Sequence, residues 1–342
     1  MTPDIAATGR AQTTWRLLDL GRCEPYVAQT FAESVAVSVA SGESDNTLLL
    51  ASPAAPYISL GFHQAFEEEL DEAFVRHRDV PVIRRVTGGG TAWLDRDQLF
   101  YQLVYRDDAL PEGAGGPSDL ARFLRAPLRC LNALGVAAEL RPPSDLVVAG
   151  RKISGNAGGD WEGAHLLVGG FLGRADIDSM AGAMRSPHPW FRRLLRQEMS
   201  RWISSLDREC PGRPSLDRLR APLAAAFAEE GLFLFRPAPA SPAELRRFDS
   251  EVRPRHRDPA WIRQPPLPRS DPDLVRRVRV AGSRFVLAVH DATEPELLIG
   301  VVDRGEVDAA WSVVPGKPRS EEERVVLEAS DPRRERLRKF AT

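Results

Sequence analysis

Arg84-Arg85-Val86-Thr87-Gly88-Gly89-Gly90-Thr91-Ala92-Trp93-Leu94-Asp95 is the stretch on which the reading of this chain turns. Apolar residues from Val80 to Ile83 lead into it as a strand, and three consecutive glycines then break the pattern. Without a Cβ, glycine reaches positive φ cheaply and lets another group come close. A glycine run between two strand-like segments is therefore either a sharp corner or a backbone cradle for a ligand. Two adjacent arginines set fixed charge beside it, in a planar donor fork suited to carboxylate or phosphate.

Further along stands Ser144-Asp145-Leu146-Val147-Val148-Ala149-Gly150-Arg151-Lys152-Ile153-Ser154-Gly155-Asn156-Ala157: a strand, a tight turn at Gly150, two cations, and a second strand-like run through Gly155. The lysine is informative. Of the 46 Lys+Arg residues only Lys152, Lys317 and Lys339 are lysine, so this chain writes nearly every cation as Arg. A compact ammonium on a flexible stem can touch several oxygens of one reacting centre, which a guanidinium does not do in the same way.

These paired motifs resemble those of the lipoate–protein ligase A family, in the biotin/lipoate ligase superfamily. That family shows an RR-x-SGGG-x-V-x-HD-x-GN stretch followed by ND-[IL]-x-x-x-G-[KR]-K-[IL]-x-G-[SN]-A. The resemblance spans Trp15 to Ile262. It implies an α/β (α+β) fold of the class II synthetase-like kind, with a central mixed β-sheet flanked by helices and carrying both motifs, plus a small α+β C-terminal domain. It also implies ATP-dependent attachment of lipoate, through lipoyl-AMP, to a lysine of an acceptor domain. Lys152 would be the main catalytic residue. Ser144 and Asp145 would serve the nucleotide side, Asp145 through Mg²⁺. Arg85, Val86, Thr87, Gly88, Gly89, Gly90 and Gly155 would form the lipoate site. ATP, Mg²⁺ and lipoate are the implied ligands. The implied partners are lipoyl domains of 2-oxoacid dehydrogenase complexes, a glycine-cleavage H protein or a dedicated lipoate-binding protein, met by a monomer.

Joining an unreactive carboxylate to an amine requires activation, commonly as an acyl-adenylate. The site then needs an apolar slot for the acyl chain, for which Val86, Trp93 and Ile153 are candidates. It also needs cations and backbone N–H groups around carboxylate and phosphate, which Arg85, Lys152 and Gly88–Gly90 offer. Arg84 has two open readings, a surface salt bridge or a ligand contact. The Gly61-Phe62-His63-Gln64 turn matches a G-x-x-Q turn near the family's ligand pocket, and His63 is either a surface residue or part of that pocket.

The chain departs from the family pattern at Leu94 (usually His), Asp97-Gln98 (Gly-Asn), Ser144 (Asn), Thr87 (Ser) and Val168-Gly169-Gly170 (His-Gly-Thr). These changes bear on substrate more than on fold. One alternative is an octanoyltransferase of the same superfamily, which works without ATP. The related types use a cysteine shortly before the lysine motif, and Ala137 to Ala149 contains none. Further alternatives are a biotin ligase, whose glycine-arginine loop differs, and a non-catalytic lipoate- or lipoyl-domain-binding relative.

Composition sets outer bounds. At 342 residues, 43% hydrophobic and 27% charged, the chain suits one large domain and one small one. A net charge of −2 points to neither nucleic acid nor an anionic membrane surface. The pairs Arg246-Arg247 and Arg276-Arg277 read as solvated faces. Cys23, Cys130 and Cys210 form no CxxC pair, which suits a reducing cytoplasm without zinc or disulfides. Met1–Thr13 lacks the apolar core of a signal peptide, and no run reaches the ~18 apolar residues of a membrane span.

The expected organisation is a lead over 1–13, a catalytic domain over 14–262, a proline-rich linker over 263–272 and an accessory domain over 273–342. Expected helices include Tyr26–Ala40, Glu67–Arg78, Asp119–Leu134, Pro187–Leu206, Pro222–Glu230, one capped at Ser241, and one beginning at Glu321–Val326. Trp190 and Trp202 are expected in the core or an interface.

Overall fold

The computed structural model describes residues 13–107, 117–231, 233–265, 271–314 and 324–341. Strand β1 (Thr13–Cys23) opens the chain, followed by β2 (Thr47–Pro53), β3 (Tyr57–Leu60), β4 (Val82–Arg84), β5 (Ala92–Leu94) and β6 (Gln98–Tyr105). Then come β7 (Ala138–Arg141), β8 (Asp145–Val148), β9 (Arg151–Trp161), β10 (Ala164–Leu172) and β11 (Phe233–Pro237). The C-terminal strands are β12 (Leu274–Ala281), β13 (Arg284–His290), β14 (Leu297–Asp303), β15 (Glu306–Val313) and β16 (Val325–Val326). The main sheet has the order β11-β1-β2-β6-β10-β9-β8-β7. It is mixed: β1 runs parallel to β11 and β2, and its other pairs are antiparallel.

Both faces of this sheet are covered, because successive strand side chains point to opposite sides. Leu48 and Leu50 of β2, with Leu99, Tyr101 and Leu103 of β6, pack under the helices 117–133 and 220–231. Leu49, Ala51 and Val104 pack against the helix Pro25–Ala40 and Phe248. On β6 the alternate positions Gln98, Phe100 and Gln102 fall on that second face, beyond the helix, and line a cleft. The sheet thus buries a core on one side and presents a floor on the other.

The glycine-rich motif does not lie on the central sheet as expected. It connects β4 to β5 within a separate three-stranded sheet, β4-β3-β5. The reason is pairing: β3 takes β4 in parallel and β5 in antiparallel register, Ile58 opposing both Val82 and Trp93. Only the Lys152 motif is on the main sheet.

Two expected helices are broken. The segment 67–78 splits into Phe66–Glu69 and Glu72–Arg78. Leu70 adopts extended geometry to bridge Met184, and Asp71 caps the second piece by accepting from Phe74 N–H at 2.9 Å. The segment 119–134 splits at Leu124, where Pro127 removes the N–H that would continue the ladder. The capping box at Ser241 forms, Ser241 Oγ and Glu244 exchanging bonds with each other's backbone. Of the helix expected from Glu321, residues 321–323 lie outside the described residues, and Val325–Val326 is a strand paired to β15.

The C-terminal strands form one antiparallel sheet, β12 to β16, with the short helix Arg334–Arg338 on one side. Its other side shares a hydrophobic cluster with the helices Ile177–Ala183 and Pro189–Trp202: Val278, Val280, Val286 and Ile299 meet Met184, Phe191, Leu194 and Met199. Trp190 packs edge-on against Trp311, ring centroids 5.5 Å apart, and Arg284 covers Trp202. These tryptophans therefore seat the sheet on the rest of the chain. Among the described residues no helix is long and apolar enough to cross a membrane.

Candidate active site

The cleft has a volume of about 330 Å³, enough for a small ligand. Its floor is main-sheet surface from β6, β9 and β10, including Phe100, Ala157, Val168 and Gly170. Gly89, Gly90, Trp93 and Leu94 from the small sheet cover it. Met180, Met184, Met199, Ile203 and Val280 close one end. Three of the chain's four methionines are there, an adaptable, polarisable wall.

Lys152 projects into this cleft. Its neighbour Arg151 faces away and pairs with Glu209 at 2.8 Å, as strand alternation requires. Lys152 Nζ lies 2.8 Å from Asp145 Oδ1, across the β8–β9 hairpin. Its main chain is anchored where Ser204 N–H donates to Lys152 O at 2.7 Å. The stem lies directly over Gly155: a Cβ there would stand 2.9 Å from Lys152 Cε and Nζ. Gly155→Ala is expected to displace the ammonium and cut turnover by ~10- to 100-fold. The thermal midpoint should stay within a few degrees, because the position is exposed. Steady-state kinetics beside a melting curve checks both.

Asp145 is only 1% exposed. Its second oxygen accepts from Gly282 N–H at 2.9 Å, and Arg279 Nη2 stands 3.9 Å from it. Burial pushes the carboxyl up, but the Lys152 ammonium, the Gly282 N–H and the Arg279 guanidinium outweigh it and hold it below the ordinary carboxylate value. A depressed folded-state pKa gives stability that is present above the unfolded value of ~3.9 and lost as pH falls through the folded one. Asp145→Asn should therefore flatten the fall in urea midpoint below about pH 4 relative to wild type.

The carboxylate is thus committed to Lys152 and the C-terminal turn. Among the described residues no group of three His, Cys, Asp or Glu could hold a metal. Any Mg²⁺ here would therefore be held by the Asp145 carboxylate together with substrate phosphates; in the structure that carboxylate pairs with Lys152.

The glycine-rich loop is built from beneath. Arg85 donates to Gly88 O (3.2 and 2.8 Å), Gly90 O (2.8 Å) and Ser59 Oγ (3.0 Å), so its fork shapes the loop. These acceptors are all neutral, and burial pulls its pKa down to about 10, still cationic at neutral pH. Gly89 takes φ +97°, and its carbonyl would lie 2.0 Å from a Cβ on Gly61, so the turn at Gly61 must be glycine for the loop to seat. Gln64 Oε1 accepts from Gly61 N–H at 2.9 Å and from Thr91 Oγ1 at 3.0 Å, clamping both ends. His63 is exposed, its ring against Phe62.

The structure brings together Lys152, Asp145, Ser144, Gly155, Arg85, Gly89 and Gly90, with Trp93 and Ile153, around the cleft. It places three other candidates elsewhere. Val86 packs toward the cluster around Phe31. Thr87 is buried against Gly159 of β9, its hydroxyl unpartnered. Gly88 is outside the lining and serves Arg85 through its carbonyl. Arg84 is neither a surface ion pair nor a ligand contact. It is 0% exposed and donates to four carbonyls, those of Gly61, Phe62, Trp261 and Ile262.

Residues not among the expected site residues also line the cleft: Gln98, noted above only as a departure from the motif, Gln102, Met180, Met184, Met199 and Arg279. Alternation along β6 was a usable signal for the glutamines. For Arg279 no local signal existed, since only the tertiary fold carries the β12–β13 turn to Asp145. No cysteine lines the cleft; Cys130 is in the main core and Cys23 is half-buried, and burial pushes both thiols up to about 11.

Comparison with known proteins bears on the family and the fold. The profile of the lipoyl protein ligase A/B catalytic domain matches residues 24–228, more than half of the chain. The octanoyltransferase LipM of Moorella thermoacetica is 28% identical over 270 residues, covering 73% of this chain and 98% of that protein. The lipoate-protein ligase LplJ of Bacillus subtilis is 33% identical over 132 residues, 38% of each chain. In fold, a bipartite lipoate protein ligase from Thermoplasma acidophilum superposes with a TM-score of 0.64 at 20% identity, covering 76% of this chain and all of the other. Lipoate-protein ligase A bound with ATP superposes at 0.60 and 22%, covering 73% and 98%. Relatives of this kind include both lipoate-protein ligases and octanoyltransferases, and the chain belongs to the lipoyl protein ligase A/B catalytic-domain family, as an enzyme of the lipoate ligase and octanoyltransferase superfamily.

Proposed function

We propose that this chain activates a lipoyl-type acyl acid as its adenylate and transfers the acyl group to a lysine amine on a small acceptor domain. One observation carries the reading: the cleft is built around Lys152, with no cysteine among its lining residues. A covalent thioester route would lack its nucleophile.

In the first step a carboxylate oxygen attacks the α-phosphorus of ATP, and the bond to pyrophosphate breaks. Lys152, held by Asp145, meets the negative charge that gathers on the phosphoryl oxygens. The half-buried Arg85 adds positive field at the glycine loop, and the apolar lining excludes water from the mixed anhydride. In the second step the acceptor amine attacks the carbonyl carbon, the bond to the bridging anhydride oxygen breaks so that AMP leaves with that oxygen, and the amine gives up a proton. The acceptors would be lipoyl domains of 2-oxoacid dehydrogenases, an H protein or a dedicated lipoate-binding protein. The Thermoplasma acidophilum ligase, described together with its E2 lipoyl domain, supports that class.

A second reading has its own support: LipM octanoyltransferases match over 270 and 278 residues, against 132 for the lipoate-protein ligase LplJ. On that reading the acyl group comes from a carrier-protein thioester without ATP. Intact-mass analysis of acceptor domains separates the two. A lipoyl mass shift that needs ATP supports adenylation. A shift of the same acceptors from octanoyl-carrier protein alone supports the transferase.

A further inference from the structure

Lys152 shares its end of the cleft with a second cation. Arg279 lies on β12 of the C-terminal sheet, outside the residues matched by the catalytic-domain profile. Its side chain lines the cleft. Its Nε donates to Gly282 O at 2.6 Å, which fixes the guanidinium at the β12–β13 turn. Nη2 then stands 3.9 Å from Asp145 Oδ2, while Lys152 Nζ holds Oδ1 at 2.8 Å.

Two cations thus flank one carboxylate, which leaves one positive charge in excess. The carboxylate side chain is 2% exposed and the Arg279 side chain 42%, so the acid is below and the guanidinium is at the rim. At 3.9 Å the Arg279–Asp145 contact is beyond hydrogen-bond length, and the terminal N–H groups remain available for another anion. A fork from one side and a point charge from the other suit a tetrahedral oxyanion, which offers oxygens in more than one plane.

We propose that Arg279 and Lys152 together form a seat for a phosphate anion, the phosphoryl group of the nucleotide-activated acyl substrate, so that the C-terminal sheet is a working part of the active site. This rests on the adenylate reading above. Asp145, joined to both cations and to Gly282 N–H, sets their spacing.

Calorimetric titration of the full chain with AMP and with adenosine isolates the phosphate's share of binding as a ratio of two Kd values. Wild type is expected to bind AMP at least ~10-fold more tightly than adenosine. Arg279→Ala should cut that ratio at least ~3-fold, Lys152 keeping the remainder, while leaving adenosine affinity unchanged, which doubles as the control for an intact fold. Arg279→Lys should keep part of the ratio. If Arg279→Ala retains the wild-type ratio, the seat is overturned and the adenylate reading stands. If wild type binds neither probe at millimolar concentration, the adenylate reading fails and the seat falls with it.

Discussion

Lys152→Ala should abolish acyl activation, with a loss of ~10³-fold or more in kcat/KM, while the chain still folds. The ammonium is placed by three independent features: the ion pair with Asp145, the Ser204 bond to its main chain, and the open space over Gly155. None of these would be needed for a surface cation. Its removal strands a buried carboxylate oxygen, so the variant should also lose ~1–3 kcal/mol of stability. The double change Lys152→Met with Asp145→Asn separates the effects. It should regain stability, since the buried charge is gone, without regaining turnover. Pyrophosphate release and urea midpoints, measured on the three proteins, check both limbs.

The second large effect belongs to Arg84. Its guanidinium satisfies four carbonyls from two distant segments, the turn at 61–62 and the end of the helical region at 261–262. Trp261 Nε1 returns a bond to Arg84 O at 3.1 Å. Arg84→Met would leave those carbonyls unpaired in a dry site, at a cost of ~3–5 kcal/mol. Arg84→Lys should fare little better, because a point ammonium cannot span both segments. Chemical denaturation should show the midpoint falling in both variants. Turnover should fall as well, since β4 carries the glycine loop. A midpoint unchanged in Arg84→Met would refute the stapling role.

These two residues mark what the sequence could and could not express. Lys152 was legible because its chemistry is local: a lone lysine in an arginine-writing chain, in a turn between strands, inside a recognisable motif. The central mixed sheet was expected from the family resemblance of the two motifs and not from strand periodicity, since β2 is buried at every position and shows no alternation. Arg84 was not, because a buried arginine bound to carbonyls writes the same letter as an exposed one. The placement of the glycine motif on a separate sheet was equally hidden, since β3–β4 pairing joins segments with a helical stretch between them. Asp145 was named as a site residue, but its partners Gly282 and Arg279 lie over a hundred residues away, and no local pattern showed them.

The central claim is that Lys152 serves an adenylating site. Its most direct test is a single-turnover incubation of the chain with lipoate and ATP labelled at the α-phosphate, without any acceptor. The account predicts lipoate-dependent formation of protein-bound acyl-AMP with one equivalent of pyrophosphate, absent in Lys152→Ala. Transfer of octanoate from a carrier-protein thioester to an acceptor, with no labelled acyl-AMP formed from either acid, would contradict it.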